Sequence, residues 1–177
     1  MATEHTDNEV SSQEELADLF RHPPVHWLEL KIPPVLIAAL FLLAMWAIDS
    51  FFPVFAVQIP FQIPLTLLLM AAAGVLGIYS IVLFVRMKTT LLPTESGRPE
   101  TLVTEGPFRH TRNPMYVSLS LLLIAWAIFL SDLLCLMLIP AFVAYMTRFQ
   151  IIPEERMLVE AFGEAFVEYA ERTPRWL

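Results

Sequence analysis

Four long apolar runs dominate this sequence and limit the folds open to it. They cover residues 35–57, 63–85, 114–131 and 133–149. The first two have the roughly 20 residues that an α-helix needs to cross a bilayer core of about 30 Å, and the other two are slightly shorter. Over the whole chain, 56% of the 177 residues are hydrophobic and 16% are charged, which is more apolar than a soluble domain requires. The sequence therefore predicts an all-α integral membrane protein with about four transmembrane helices.

Polar segments around these runs predict how the chain is divided. Residues 1–33 read as an acidic cytosolic tail, in which a short interfacial helix and a frayed segment fit the sequence equally well. Residues 34–177 form the membrane domain. Asn113-Pro114 marks a helix start, and Ser131-Asp132 leaves room only for a tight turn, so spans three and four should form an antiparallel hairpin. From Pro153 onward, apolar residues at helical spacing predict a C-terminal amphipathic helix.

The basic residues predict the orientation of the bundle. They lie before the first span, in the loop between spans two and three, and after the fourth span, whereas the two turns on the other side contain no Lys or Arg. By the positive-inside rule, both termini and the long loop are expected in the cytoplasm, and we expect the membrane to be a bacterial inner membrane. The histidines and the single cysteine show no metal-ligand spacing, and no basic, aromatic-rich surface indicates nucleic acid. We therefore expect neither a metal nor a nucleic-acid partner.

Two polar segments, residues 100–116 and 148–177, adjoin the two ends of the predicted hairpin and should therefore meet. The start of the third helix offers free N–H groups that suit a carboxylate. Glu154 and Glu155 could accept hydrogen bonds from an ammonium group or from ribose hydroxyls, and aromatic neighbours could hold an adenine ring. A zwitterionic nucleoside such as S-adenosylmethionine needs all three features. Ordinary helix starts and positive-inside charges would explain the same residues without any ligand.

A series of motifs adds to this reading. It consists of L-V-T-E-G-P-F-R-H-T-R-N-P-M-Y, then P-E-E-R-M-L after the hairpin, then F-G-E-A-F-V-E-Y-A-E-R-T-P-R-W. Over about residues 88–177 the chain resembles the isoprenylcysteine carboxyl methyltransferase family, which is grouped with the phospholipid N-methyltransferases. The resemblance implies a membrane enzyme that encloses S-adenosylmethionine in a cytosolic pocket and takes a lipophilic or lipid-modified acceptor from the bilayer. By position, the implied cofactor contacts are Glu100, Thr101, Leu102, Val103, Gly106, Phe108, Asn113, Pro114, Met115, Tyr116 and Glu154.

Two departures from the family pattern bear on the acceptor. The family's Arg-His-Pro is Arg-Asn-Pro here, with Asn113 in the middle position. The arginine linked to the substrate carboxylate in eukaryotic members aligns with Gln150, and the nearest arginine is Arg148. We expect Arg148 to position a carboxylate acceptor, or Glu155 or His110 to take the proton from an amine acceptor.

Several functions therefore stay open at this point. The resemblance favours an isoprenylcysteine carboxyl methyltransferase-like enzyme, with a phospholipid N-methyltransferase or a lipophilic thiol S-methyltransferase as alternatives. A membrane scaffold or transporter subunit without catalytic activity is the alternative from another class. A transport path would call for polar residues inside the spans, but Asp49 and Asp132 lie close to predicted membrane ends.

Overall fold

Helices make up most of the chain that the structure, a computed structural model, describes, which is residues 26–51, 57–87 and 101–177. In chain order they are α1 (Pro34–Phe51), α2 (Gln62–Arg86), α3 (Pro114–Leu130), α4 (Leu133–Leu136), α5 (Leu138–Met146), α6 (Ile152–Phe162) and α7 (Glu164–Arg172). A 3-10 turn at Gly106–Arg109 precedes α3, and a π-helical segment at Thr147–Ile151 joins α5 to α6. The predicted interfacial helix of the tail and Glu100 lie outside the described residues.

The membrane fold predicted from the apolar runs is confirmed. Within the described ranges, Pro34–Phe51, Gln62–Arg86 and Leu133–Phe162 are long and apolar enough to cross a bilayer. The 17 residues of α3 are apolar but give a shorter helix, roughly 25 Å at 1.5 Å per residue. Many apolar side chains of α2 point outward, as lipid-facing residues do; Val75 is 70% exposed and Ile78 is 67% exposed.

The fourth span differs from the prediction at its far end. The prediction ends it near residue 149 and starts an amphipathic helix at Pro153. The structure begins α6 at Ile152 but runs it on from α4 and α5, so that Leu133–Phe162 is one helical stretch of 30 residues. Pro153 stands in the first turn of α6, where its missing N–H is tolerated. The π-helical segment just before it takes up the local change in helical winding.

The predicted hairpin between α3 and α4 forms with a turn of two residues. Ser131 adopts a left-handed conformation (φ 56°), and its N–H donates to the carbonyl of Ala127 at 3.0 Å. Asp132 then caps α4, since its Oδ1 accepts a hydrogen bond from the N–H of Leu134 at 2.7 Å. These contacts reverse the chain at the end of the bundle opposite the start of α3.

Small residues allow α2 and α3 to pack closely along their length. An ideal Cβ placed on Gly77 would lie 2.9 Å from Oγ of Ser118, so a side chain at position 77 does not fit without movement. At the far end of the same pair, Gln62 Nε2 donates to the carbonyl of Phe129 at 2.6 Å. The two helices therefore run antiparallel, and α2 supports the helix whose start was predicted to hold a ligand.

Helix α1 packs on the other side of the hairpin and completes the core. Trp126 Nε1 of α3 donates to the carbonyl of Leu42 at 3.2 Å, and the rings of Phe41 and Phe142 meet edge to face. The fully buried core side chains include Met45, Leu123, Cys135, Phe142 and Met146. One end of this bundle, which we call the polar end, contains the start of α3 and the π-helical segment. Residues 26–32 and the last residues of the chain lie at the same end.

Candidate functional site

The starts of α3 and α6 meet at the polar end through one side-chain contact. The hydroxyl of Tyr116, in the first turn of α3, donates a short hydrogen bond to Oε1 of Glu154, in the first turn of α6. Within the described residues, Oε2 of Glu154 takes part in no hydrogen bond, so the carboxyl keeps capacity to accept one. Two residues predicted to contact a cofactor, 38 positions apart, are thus brought together.

The neighbouring carboxyl, that of Glu155, has different surroundings. It is 3% exposed and accepts two hydrogen bonds from Arg175, from Nε at 3.0 Å and from Nη2 at 2.6 Å. Arg112 Nη1 lies 3.0 Å from its Oε1 and completes an ion-pair cluster. The hydrogen bond to Glu155 raises the pKa of Arg175, whereas burial lowers the pKa of Arg112 in spite of the nearby carboxylate.

These contacts weigh against Glu155 as a proton acceptor. Both carboxylate oxygens of Glu155 are already engaged by guanidinium groups, which leaves them little capacity to contact an acceptor's proton. Its observed contacts instead join α6 to the segment before α3 and to the end of the chain. The predicted catalytic role of Glu155 therefore stays a prediction without support from the geometry.

The chain after α7 returns across the polar end and binds beside the start of α3. Asn113 occupies the N-cap position of α3, but its side chain does not cap the helix; its Nδ2 donates to the carbonyl of Arg175 at 2.9 Å. Thr111 Oγ1 donates to the same carbonyl at 3.2 Å. Trp176 Nε1 donates to Oγ1 of Thr147 at 3.0 Å. The predicted cofactor residue Asn113 is thus engaged in holding residues 173–177, which we call the C-terminal tail.

The 3-10 turn before α3 is held from two sides. The hydroxyl of Tyr169 in α7 donates to the carbonyl of Phe108 at 2.7 Å, and the ring of Phe108 lies 6.2 Å from that of Phe84 in α2. Gly106 has a φ of +57°, and an ideal Cβ on it would lie 3.0 Å from the hydroxyl of Tyr79. The left-handed backbone and the close approach of Tyr79 explain why position 106 is a glycine, since a side chain there would press on α2. Its predicted approach to a cofactor remains a prediction.

The other predicted cofactor residues differ in burial. Val103 and Pro114 are buried, Leu102 and Met115 are half-buried, and Thr101 is exposed. All five lie in the segment that leads into the start of α3, on the same side of the hairpin as Tyr116. Of the predicted segment 101–116, the contacts with the start of α6 come from Tyr116, which binds Glu154, and from Arg112, which pairs with Glu155. The individual cofactor contacts of these residues stay predictions.

Arg148, predicted to position an acceptor carboxylate, is bound within the protein. Its Nη1 lies 2.6 Å from Oε1 of Glu29, and Arg156 Nη2 contacts the other oxygen of the same carboxyl. Burial raises the pKa of Glu29, but hydrogen bonds from Arg148, from the His26 backbone and from Arg156 outweigh it and lower the pKa overall. Gln150, which aligns with the family's arginine, is buried and donates to the carbonyl of Ile32 at 2.8 Å.

Sequence reasoning missed several residues that build the polar end. Arg112 and Arg175 were counted among the basic residues that predict the orientation, Tyr169 was placed on the apolar face of the C-terminal amphipathic helix, and Glu29 was given no role. Tyr169 and Arg175 belong to the last of the three quoted motifs, so that motif was a usable signal. Glu29 carries no local signal, because its partners are 119 and 127 residues away. In the described part of the chain, no group of three His, Cys, Asp or Glu side chains could hold a metal ion.

Comparison with known proteins adds independent information. Residues 54–165, more than half of the chain, match the sequence profile of a family described as "Phospholipid methyltransferase". An uncharacterised protein of Haemophilus influenzae is 36% identical over 63 residues, which are 36% of this chain and all of the relative. The fold is similar to that of the eukaryotic intramembrane Ras methyltransferase, an isoprenylcysteine carboxyl methyltransferase, with a TM-score of 0.55 and 24% identity. That match covers 81% of this chain and 51% of the solved protein, so the chain spans about half of its length.

Proposed function

This chain belongs to the phospholipid methyltransferase family, and on that premise we propose that it transfers a methyl group from S-adenosylmethionine to a lipophilic acceptor. We further propose that the protein lies in a bacterial inner membrane. The distribution of basic residues favours an orientation in which the polar end faces the cytoplasm. Membership of a methyltransferase family disfavours the scaffold and transporter alternatives. The acceptor, the cofactor and the orientation rest on the arguments that follow.

The contact that carries the proposal is the one between Tyr116 and Glu154. It lies inside the matched residues and joins the two segments expected to hold the cofactor. Glu154 suits the ammonium group of S-adenosylmethionine, because its Oε2 has free acceptor capacity and, unlike Glu155, it has no arginine partner among the described residues. The residues present thus fit a ligand whose positively charged group lies beside Glu154.

The protein's own part in such a reaction is mainly positioning. S-Adenosylmethionine supplies an activated methyl group on a sulfonium centre when it is bound. The chain must hold the donor, align the acceptor with it and exclude water. Glu154 would anchor the amino-acid end of the donor, and the apolar side chains of Phe108 and Met115 would line the adenine side. The C-terminal tail, held by Asn113 and Glu155, lies beside this site and would help to shield it from solvent.

Calorimetry on the detergent-purified protein with S-adenosylhomocysteine tests this proposal. We expect saturable binding, and we expect Glu154→Gln to weaken it roughly ten- to hundredfold, because a charge-assisted hydrogen bond is worth about 1.5–3 kcal/mol. Glu160→Gln is the matched control, since Glu160 is an exposed acid of the same helix. Absence of binding to the unmodified protein in detergents and nanodiscs would remove the methyltransferase proposal.

An amine head group is the second candidate for the acceptor, beside a prenylcysteine carboxylate. The observation that favours it is the ion pair between Arg148 and Glu29, because an acceptor carboxylate would have to displace a buried glutamate from this arginine. The assay is methyl transfer to prenylcysteine analogues, acyl amines and alkyl thiols of matched chain length. Methylation of the carboxylate series alone would contradict the amine assignment.

A further inference from the structure

The junction between α5 and α6 lacks part of the hydrogen bonding that normally fixes a helix. Pro153 has no N–H, so it cannot donate to the carbonyl of Phe149 four residues earlier. Just before it, the N–H of Ile152 reaches back five residues to the carbonyl of Thr147, which is π-helical bonding. The rotation of α6 about its axis relative to α5 is therefore less firmly set by the helix itself than in an unbroken α-helix.

Residues 26–32, which we call the strap, supply bonds at this junction. The N–H of Leu30 donates to the carbonyl of Phe149 at 3.0 Å, the acceptor that Pro153 leaves free. Gln150 Nε2 donates to the carbonyl of Ile32 at 2.8 Å. Leu30 makes its bond from a left-handed conformation (φ 56°), which is unfavourable for a leucine and indicates that the surrounding contacts hold the strap in place.

Glu29 in the strap spans the junction with a single carboxyl group. Its Oε1 binds Arg148, which lies before Pro153, and its Oε2 binds Arg156, which lies after it. The Glu29 side chain is 6% exposed and each arginine side chain is 27% exposed, so these ion pairs are shielded from solvent. A change in the rotation of α6 would carry Arg156 away from this carboxylate while Arg148 stayed in place.

The rotation of α6 decides which of two adjacent carboxyls faces α3. One residue along an α-helix corresponds to about 100° of rotation. A shift of one residue would therefore take Glu154 away from Tyr116 and would also pull Glu155 from its arginines. We infer that Glu29 is a positioning residue, which fixes the register of α6 across the π-helical junction and thereby holds Glu154 at the site. The consequence for the cofactor rests on the proposed function.

Glu29→Gln tests this inference, with Glu29→Asp as the conservative variant and Glu160→Gln as the control. We expect Glu29→Gln to weaken S-adenosylhomocysteine binding by about tenfold, the lower end of the loss expected for Glu154→Gln, because the Glu154 contact is displaced and not removed. Glu29→Asp keeps the charge and should recover part of that loss. Glu160→Gln should bind like the unmodified protein. Equal binding by Glu29→Gln and Glu160→Gln would overturn the inference.

Amide hydrogen exchange supplies a readout that does not need the cofactor. In Glu29→Gln we expect faster exchange confined to α6, with α2 and α3 unchanged as internal references. Faster exchange in every helix would show a general loss of stability and would also overturn the inference. If Glu29→Gln does not fold, Glu29→Asp must show a smaller effect of the same kind. If the unmodified protein does not bind S-adenosylhomocysteine, the proposed function fails, and the exchange experiment still decides the role of Glu29.

Discussion

Replacing Glu155 by Gln removes the charge at the centre of the ion-pair cluster that joins α6 to the C-terminal tail. Gln keeps the size and one acceptor oxygen, but it leaves Arg112 and Arg175 as two guanidinium groups without a carboxylate between them. The Glu155 and Arg112 side chains are 3% and 12% exposed, whereas that of Arg175 is 33% exposed and partly screened by solvent. The change should therefore destabilise the protein, although by less than the loss of a fully buried pair.

The size of the effect follows from the burial. Removing one partner of a fully buried ion pair costs about 3–5 kcal/mol, and the partial exposure of Arg175 together with the remaining amide oxygen reduces this to roughly 2–3 kcal/mol. At about 2–4 °C per kcal/mol for a chain of this length, the apparent Tm should fall by roughly 4–12 °C. The assay is thermal unfolding of the detergent-purified variant, in which size-exclusion chromatography with fluorescence detection measures the folded fraction after heating.

The matched control is Glu168→Gln in α7. Glu168 lies 3.9 Å from Arg172, and both side chains are at least 70% exposed, so this pair should contribute about 0–1 kcal/mol. An equal, small change in Tm for both variants would refute the assignment of Glu155 as a buried structural anion. A large loss of methyl transfer by Glu155→Gln at an unchanged Tm would instead favour its predicted role as a proton acceptor.

Three further predictions concern the packing of α2 and the strap. Gly74→Ala should raise stability by about 0.5–1 kcal/mol, since an alanine favours the helix and an added Cβ meets nothing within 4 Å. Gly77→Ala should lower stability, because its Cβ would lie 2.9 Å from Oγ of Ser118, and that hydroxyl is held by its hydrogen bond to the Met115 carbonyl. A higher Tm for Gly77→Ala than for Gly74→Ala would contradict this packing. The pKa of Glu29 is lowered from its ordinary 4.5, so its stabilising effect is present above that pH and is lost as the pH falls through the lower folded-state value. Comparing Glu29→Gln with the unmodified protein in chemical unfolding from pH 7 to pH 3 should show a difference that shrinks in acid, and a constant difference would contradict it.

Much of the fold could be predicted from the sequence because it depends on local properties. Span positions follow from apolar runs, since a helix in lipid satisfies its own backbone groups and needs only the right length. The observed α2, Gln62–Arg86, differs by one residue at each end from the predicted span 63–85. The start of α3 at Asn113-Pro114 and the turn at Ser131-Asp132 could also be predicted from local sequence. Together they predicted that residues 101–116 would meet the start of α6.

The partners of the polar side chains were not predictable in the same way. Nothing in the pair Glu154-Glu155 indicates that the first binds a tyrosine and the second two arginines. That difference arises from about 100° of helical rotation between neighbours, and the rotation is set by contacts far away in sequence. For the same reason Asn113 appeared to be a helix cap, while its side chain holds the C-terminal tail.

Arg148 shows most clearly where the tertiary structure decided the outcome. An arginine near the expected acceptor position suggests carboxylate binding, but the residue is already paired with Glu29, 119 positions earlier. The sequence by itself determined where the long apolar helices lie and which of their ends meet at the polar end, because hydrophobicity and helix termination are local. Only the tertiary structure decided which charges remain available for chemistry, because ion pairing depends on which distant side chains the packed helices bring within about 3 Å.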